Sequence, residues 1–254
     1  MPLLLPAGNA SEWTGPTGNN TWLLRGRVAT LIDAGVGNPA HLEALARALD
    51  GMPLSLVLIT HGHLDHASGA PAIRDRWPAA RVRRMGGEEG LVPDERIEAG
   101  NGTLRALHTP GHSPDHCCFL LEQTSEIFCG DLVRMGGTIV IPASKGGNLA
   151  QYLDSLRRVR DLRPSRLLPG HGPVIDEPDL VIDDYIAHRA ERDRQILDAV
   201  GAGCRSTRPI VQAVYPGLPA ALTSAAEDTV LAHLVRLRED GLVTEDSGGW
   251  RQIG

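Results

Sequence analysis

The chain is nearly without lysine: Lys145 is its only one, and the rest of its positive charge is arginine. We read that skew as a codon bias and not as a functional feature. Positive charge is also outweighed, with 25 basic against 31 acidic residues, a formal net charge of −6 and a pI near 5.9. That balance removes the electrostatic argument for nucleic acid as the main partner. Cysteine is scarce too. Cys117, Cys118, Cys129 and Cys204 show no C-x-x-C spacing, so a zinc knuckle and a redox pair drop out. Buried, reduced thiols in a reducing compartment account for them. No stretch approaches the length of a membrane span. The N-terminal "MPLLLPAGNASEW" has three consecutive leucines but no basic flank, unlike a signal peptide. The expectation is a soluble, cytoplasmic protein.

Apolar residues are ample: at 42% of 254 residues they can build a sizeable core. "NTWLLRGRVATLIDAG" predicts two short strands around Gly26, ending at Asp33. "PAHLEALARALDG" predicts a helix, with Leu42, Leu45 and Leu49 at helical spacing, Pro39 before its first turn and Gly51 after the last. "LSLVLIT" is a continuous apolar run, the pattern of a strand buried on both faces. Further strands are expected in "ARVRRM", around "IEAGNGTLRALHTPG", in the hairpin "CCFLLEQTSEIFCGD" and in "RLLPG". The helix "NLAQYLDSLRRVRDL" has Asn148 placed to cap it. From Val181 the pattern changes to three helices and a short hairpin, a winged-helix-like unit. "SAAE" at Ser224–Glu227 is expected to form a capping box for its last helix. The boundary is placed at 1–180 and 181–254.

The densest chemistry lies in "LITHGHLDHASG", where His61, His63, Asp65 and His66 follow the apolar run. Imidazoles and carboxylates are ligands for zinc and similar divalent ions. Four such groups on one short loop suit two ions better than one, and further ligands must come from elsewhere. His112 in "TPGH", Asp131 in "GDLV" and His171 in "PGHG" each follow an expected strand and sit beside a glycine. Strand ends along one sheet edge converge in space.

In that order, "THGHLDH", "TPGH", "GDLV" and "PGHG" resemble the motifs of the metallo-β-lactamase superfamily in its dinuclear, glyoxalase-II-like form, over about residues 14 to 175. The resemblance implies an α/β fold, a four-layer αβ/βα sandwich with the metals at one edge. It implies that His61, His63 and His112 hold one ion, that Asp65, His66 and His171 hold a second, and that Asp131 bridges them. The ions would be two Zn2+, with Mn2+ or Fe2+ accepted by the same donors. A hydroxide shared by the ions would attack the substrate, with Asp65 orienting it or taking its proton. Asp33 in "LIDAG" resembles the family's "DxG" turn and is expected to accept an orienting hydrogen bond. Class B1 lactamases use a cysteine ligand where this chain has Asp131. Cys129 is read as a core thiol, which disfavours antibiotic degradation.

The segment "YIAHRAERDRQIL" and the winged-helix pattern resemble the branch that contains the lactamase-β-like endoribonuclease of animal mitochondria and many bacterial hydrolases. The glutathione-gripping tail of glyoxalase II has no match here. From Val181 to Gly254 eight arginines face eleven acidic residues, an unpromising surface for phosphate. Packing against the catalytic domain, or formation of a homodimer, is the better use of this unit. Ser144 and Lys145, in a Gly-rich loop after Asp131, could meet an anionic group of the substrate; a solvated lysine is the plain alternative. The expected activity is metal-dependent hydrolysis of small esters, thioesters or lactones. A single-strand-specific endoribonuclease is the first alternative, and a non-catalytic metal-holding scaffold the second.

Overall fold

The computed structural model describes residues 1–87 and 90–253. Gly254, at the end of the expected hairpin segment, lies outside them. Strands Leu3–Pro6 (β1), Asn20–Leu24 (β2), Thr30–Ile32 (β3), Leu56–Leu58 (β4) and Arg81–Arg83 (β5) form one five-stranded sheet in that spatial order. β1 to β3 pair antiparallel, and β3 to β5 pair parallel. A second sheet contains Arg96–Ala99 (β6), Gly102–His108 (β7), Cys117–Leu121 (β8), Glu126–Gly130 (β9) and Arg166–Pro169 (β10), in the order β10-β9-β8-β7-β6. It is antiparallel except for the β9–β10 pair.

The strand period of two sorts the apolar residues into separate cores. Trp22, Leu24, Ile32, Leu56 and Leu58 of the first sheet meet Leu104, Ala106, Phe119 and Phe128 of the second. The intervening Leu23, Leu31 and Val57 point the other way, onto Leu45 and Leu49 of helix Pro39–Leu49 (α1) and Ile73 of Ala70–Arg76 (α3). On the far side, Leu107, Cys118, Ile127 and Leu167 pack under Tyr152, Leu156 and Val159 of helix Leu149–Asp161 (α4). Helix, sheet, sheet and helix make the four layers that the motif order implied.

Strand direction locates the working edge. β3 and β4 run parallel, and β7, β9 and β10 share one direction because β8 pairs antiparallel with both β7 and β9. Their carboxyl ends therefore lie along common edges. Backbone bonds tie the sheets together there: Asn20 N donates to the Gly170 carbonyl at 2.7 Å and Cys117 N to the Thr60 carbonyl at 2.8 Å.

Helix Pro178–Gly201 (α5) runs from the α4 core, where Ile182 and Tyr185 are buried, to a separate core holding Ile196, Ala199 and Val200. That last core is completed by Thr207–Val214 (α6), Thr223–Glu239 (α7) and the hairpin Val243–Asp246 (β11) with Gly249–Gln252 (β12). The "SAAE" capping box does not form. A 3₁₀ turn at Ala220–Leu222 runs directly into α7, Leu222 occupies the cap position, and no side chain caps it. The helix starts before Ser224, so its hydroxyl faces no free turn. Strand β1 and the short helices Leu64–Ala67 (α2) and α3 carry no periodicity long enough to predict. No helix among the described residues is long and apolar enough to cross a membrane.

Asn148 does cap α4, its side chain accepting from Gln151 N at 2.9 Å. Asn148→Ala is expected to cost about 1 kcal/mol and Asn148→Gly only roughly a few tenths. Denaturant midpoints check this, and equal losses for the two variants would show that the side-chain oxygen contributes nothing.

Candidate metal centre

Beyond β4 the chain turns through Thr60, whose amide donates to Asp33 Oδ1 at 2.7 Å and whose hydroxyl donates to Asp33 Oδ2 at 3.0 Å. Asp33 sits at the end of β3 with φ +62°, a left-handed conformation that aspartate tolerates better than most residues. Since the Thr60 proton is spent on Asp33, the 3.1 Å contact between Thr60 Oγ1 and His61 Nδ1 needs the proton of that imidazole. His61 Nε2 is left with a free lone pair. His112 is fixed the same way, its Nδ1 donating to the Val140 carbonyl at 2.7 Å. Both free nitrogens face His63 Nδ1, each at 3.0 Å. One proton on His63 could serve only one of them. Nitrogens bound to a single tetrahedral ion at about 2.0–2.1 Å lie roughly 3.3 Å apart, close to these two separations.

A second group gathers beside it. His66 Nδ1 donates to Asp33 Oδ2 at 2.7 Å, turning Nε2 toward Asp65 Oδ2 and Asp131 Oδ1, each 3.4 Å away. His171 Nε2 lies 3.2 Å from Asp65 Oδ2 and 3.4 Å from Asp131 Oδ1. The other oxygen of Asp131, Oδ2, faces His112 Nε2 at 3.6 Å. The carboxylate thus spreads its two oxygens over both groups. Potential ligand atoms fall into three overlapping sets, His61/His63/His112, His61/His66/Asp131 and Asp65/His66/His171, each within 4.8 Å.

Burial decides the protonation. It pushes His61, His63 and His112 down, His63 to about 4, so these imidazoles stand neutral. For His66 burial opposes the charge, but the Asp131 and Asp33 carboxylates outweigh it and hold the group well above its ordinary range. Asp131 is held well below the usual carboxylate range, against its own burial, by His66 and His171. His66 Nε2 and Asp131 Oδ1 are nonetheless buried without a hydrogen-bond partner. Orphaned polar atoms this deep are costly unless something else binds them. Neutral imidazoles, ionised carboxylates and inward-facing orphans fit a divalent ion, whose binding would displace the His66 proton.

All seven residues singled out from the motifs converge here. Ser144 and Lys145 do not join them: Ser144 donates its hydroxyl to Asp228 at 2.9 Å, and Lys145 is exposed. At Ser144 the loop is tied to α7, where Asp228 accepts from both its amide and its hydroxyl. Cys129 is buried with Sγ toward the Val133 carbonyl, and burial raises its thiol well above the ordinary range. Further side chains support these residues. Asn19 Nδ2 donates to the Asp65 carbonyl at 2.6 Å. The Asp131 amide donates to His116 Nε2 at 3.1 Å, so His116 is an acceptor there and its Nδ1 bonds Thr109 Oγ1 at 2.9 Å. "NN" ahead of a strand signals Asn19 only weakly, and nothing in a side-chain pattern marks the backbone carbonyl of Val140.

A profile of the metallo-beta-lactamase superfamily matches residues 14–89 and 79–171, and one of the beta-lactamase associated winged helix domain matches residues 206–250. The lactamase-like protein adaB of Aspergillus niger is 33% identical over 245 residues, which cover 88% of this chain and 76% of that protein. An atrochrysone carboxyl ACP thioesterase of Aspergillus chevalieri is 31% identical over 258 residues, covering 93% and 82%. Among solved structures, a metallo-beta-lactamase family protein from Thermus thermophilus superposes with a TM-score of 0.84 at 22% identity, covering 99% of this chain and 98% of that one. That last likeness is one of fold.

Gly170 offers a selective perturbation. A Cβ there would stand 2.6 Å from His66 Cε1 and 2.9 Å from Asp131 Oδ1. Its φ is not among the positive values, so alanine is tolerated by the backbone but intrudes on the site. Gly170→Ala is expected to lower metal content while leaving the metal-free unfolding temperature within a few degrees. Metal analysis beside thermal melts checks this, and unchanged stoichiometry would show that the site yields to the methyl group.

Proposed function

The chain belongs to the metallo-β-lactamase superfamily, and on that footing we propose that it hydrolyses small esters, thioesters or lactones with two divalent metal ions, zinc first among them. The observation that carries this is the split carboxylate of Asp131, with Oδ1 toward His66 and His171 and Oδ2 toward His112. A single-ion site has no use for that division. We take His61, His63 and His112 as one ligand set and Asp65, His66 and His171 as the other, with Asp131 shared. The thioesterase among the relatives supports placing thioesters at the head of the substrate list.

Bound there, two divalent ions would lower the pKa of a shared water to about 7 and polarise the substrate's acyl oxygen. The protein's own part is to aim and to hold protons. Asp33 and the Val140 carbonyl keep His66 and His112 in the tautomer that presents Nε2. Asp65, at 27% exposure the more open of the two carboxylates, is placed to take the proton of the attacking water. Cys129 is excluded as nucleophile or ligand by its burial and its orientation away from the site.

We further place the catalytic domain at residues 1–180 and the winged-helix-like domain at 181–254. The cysteines Cys117, Cys118, Cys129 and Cys204 are all free, which supports a reducing, cytoplasmic setting. Against the ribonuclease reading stand the acidic tail and the packing of α7. Ala232 of that helix is buried in the α4 core, so one of its faces is already covered.

Zinc-loaded protein is expected to turn over acyl thioesters or aryl esters and to lose that activity on chelation. Asp65→Ala should reduce kcat roughly 10²–10⁴-fold. A panel of thioesters, esters, lactones and single-stranded RNA decides the substrate class. RNA cleavage without thioester or ester turnover would transfer the assignment to a nuclease, and inactivity with two ions bound would favour a scaffold.

A further inference from the structure

Between Asp131 and α4 the chain runs as an irregular loop, and its anchors come from the C-terminal helices α5 and α7. Tyr185 of α5 donates its hydroxyl to the Arg134 carbonyl at 2.9 Å. Asp228 of α7 accepts from the Ser144 amide at 3.3 Å and from its hydroxyl at 2.9 Å. The tightest grip surrounds Val140. Arg189 Nη2 of α5 donates to Thr138 Oγ1 at 3.2 Å and also to the Ile139 carbonyl. Thr229 of α7 gives its hydroxyl proton to the Ala225 carbonyl at 3.0 Å, which leaves a lone pair for the Ile141 amide at 3.3 Å. The residue between these two holds is the one whose carbonyl accepts from His112 Nδ1.

Arg189 is an odd tenant of a core. It is fully buried, its Nε and Nη1 lack partners, and among the described residues no carboxylate lies within ion-pair distance. Its guanidinium lies over the Tyr152 ring at 5.4 Å. Burying a charge without a counter-charge is expensive, and an apolar side chain of similar volume would pack there at less cost. What the guanidinium adds is a hold on Ile139 and Thr138.

We propose that Arg189 and Thr229 are positioning residues for His112: they clamp the backbone on either side of Val140, so the C-terminal helices set the three-histidine group from behind. A neutral imidazole carries one ring proton. While the Val140 carbonyl stays in place, that proton stays on Nδ1 and Nε2 is open toward His61 and His63. A carbonyl that drifts away frees the proton to move to Nε2, where it occupies the direction a cation needs. The winged-helix unit then serves the metal site through the backbone and makes no contact with the ions.

This inference rests on the two-ion reading, and the test separates the two. Each clamp variant is introduced into His171→Ala, which leaves the three-histidine group intact, and into His63→Ala, which leaves Asp65, His66 and His171. Retention of zinc is measured by competition with a chromogenic chelator. Arg189→Met is expected to weaken retention about 10- to 100-fold in the His171→Ala background, the usual effect of losing a support behind a ligand. Thr229→Val should act in the same direction and less, and Arg189→Lys should recover part of the loss. In the His63→Ala background retention should not change. Equal shifts in both backgrounds, or none in either, would overturn the clamp. Should Arg189→Met fail to fold, Thr229→Val decides alone. If the His171→Ala protein without a clamp mutation binds no ion, the two-ion reading falls and takes the clamp with it.

Discussion

Of the five imidazoles that crowd around one point, His61, His66 and His112 each give a ring proton to a fixed acceptor behind them. That outward donation is the constraint on which the site depends. His66 gives to Asp33, His61 to Thr60 and His112 to the Val140 carbonyl. Asp33 and Thr60 sit just past strand ends, where backbone direction is already set by the sheet, whereas Val140 lies in the loop between Asp131 and α4 and is held from the C-terminal helices. Remove the acceptors and the inward nitrogens become a mixture of donors and lone pairs, which repel or bond one another and leave no pocket for a cation. The fold's contribution to chemistry is therefore less the ligands than the fixed groups behind them.

Much of this was legible in the residues alone, for identifiable reasons. A fully buried strand such as Leu56–Leu58 must be continuously apolar, and a ligand cluster at its end must be polar, so the change at Thr60 stands out. Asn148 announces α4 because caps have a small vocabulary. The apparent capping box at Ser224 misled because the same four letters are equally at home inside a helix already under way. The four-residue strand β1 and helices of four and seven residues such as α2 and α3 are too short to show a period.

Supports that act through the backbone were silent for a different reason. A carbonyl has no letter. Val140 could be almost any residue and still accept from His112, and the same holds for the Asp131 amide that meets His116. Ser144 drew notice because its side chain was polar and its loop lay near the metal edge, yet proximity along the chain did not decide its partner. Asp228, 84 positions away, did. Side-chain letters report chemistry well and three-dimensional anchoring poorly.

The long helix α5 has a bearing on how the molecule lives and dies. Its 24 residues enter at one hydrophobic centre and leave at another with no glycine or proline between Pro178 and Gly201 to act as a joint. A rod anchored at both ends transmits strain, so a defect in either centre weakens the other, and partial melting of the tail leaves the upstream half of the rod poorly held. In this chain the appendage is therefore a structural extension of the α4 core and not a module hung on a loose tether.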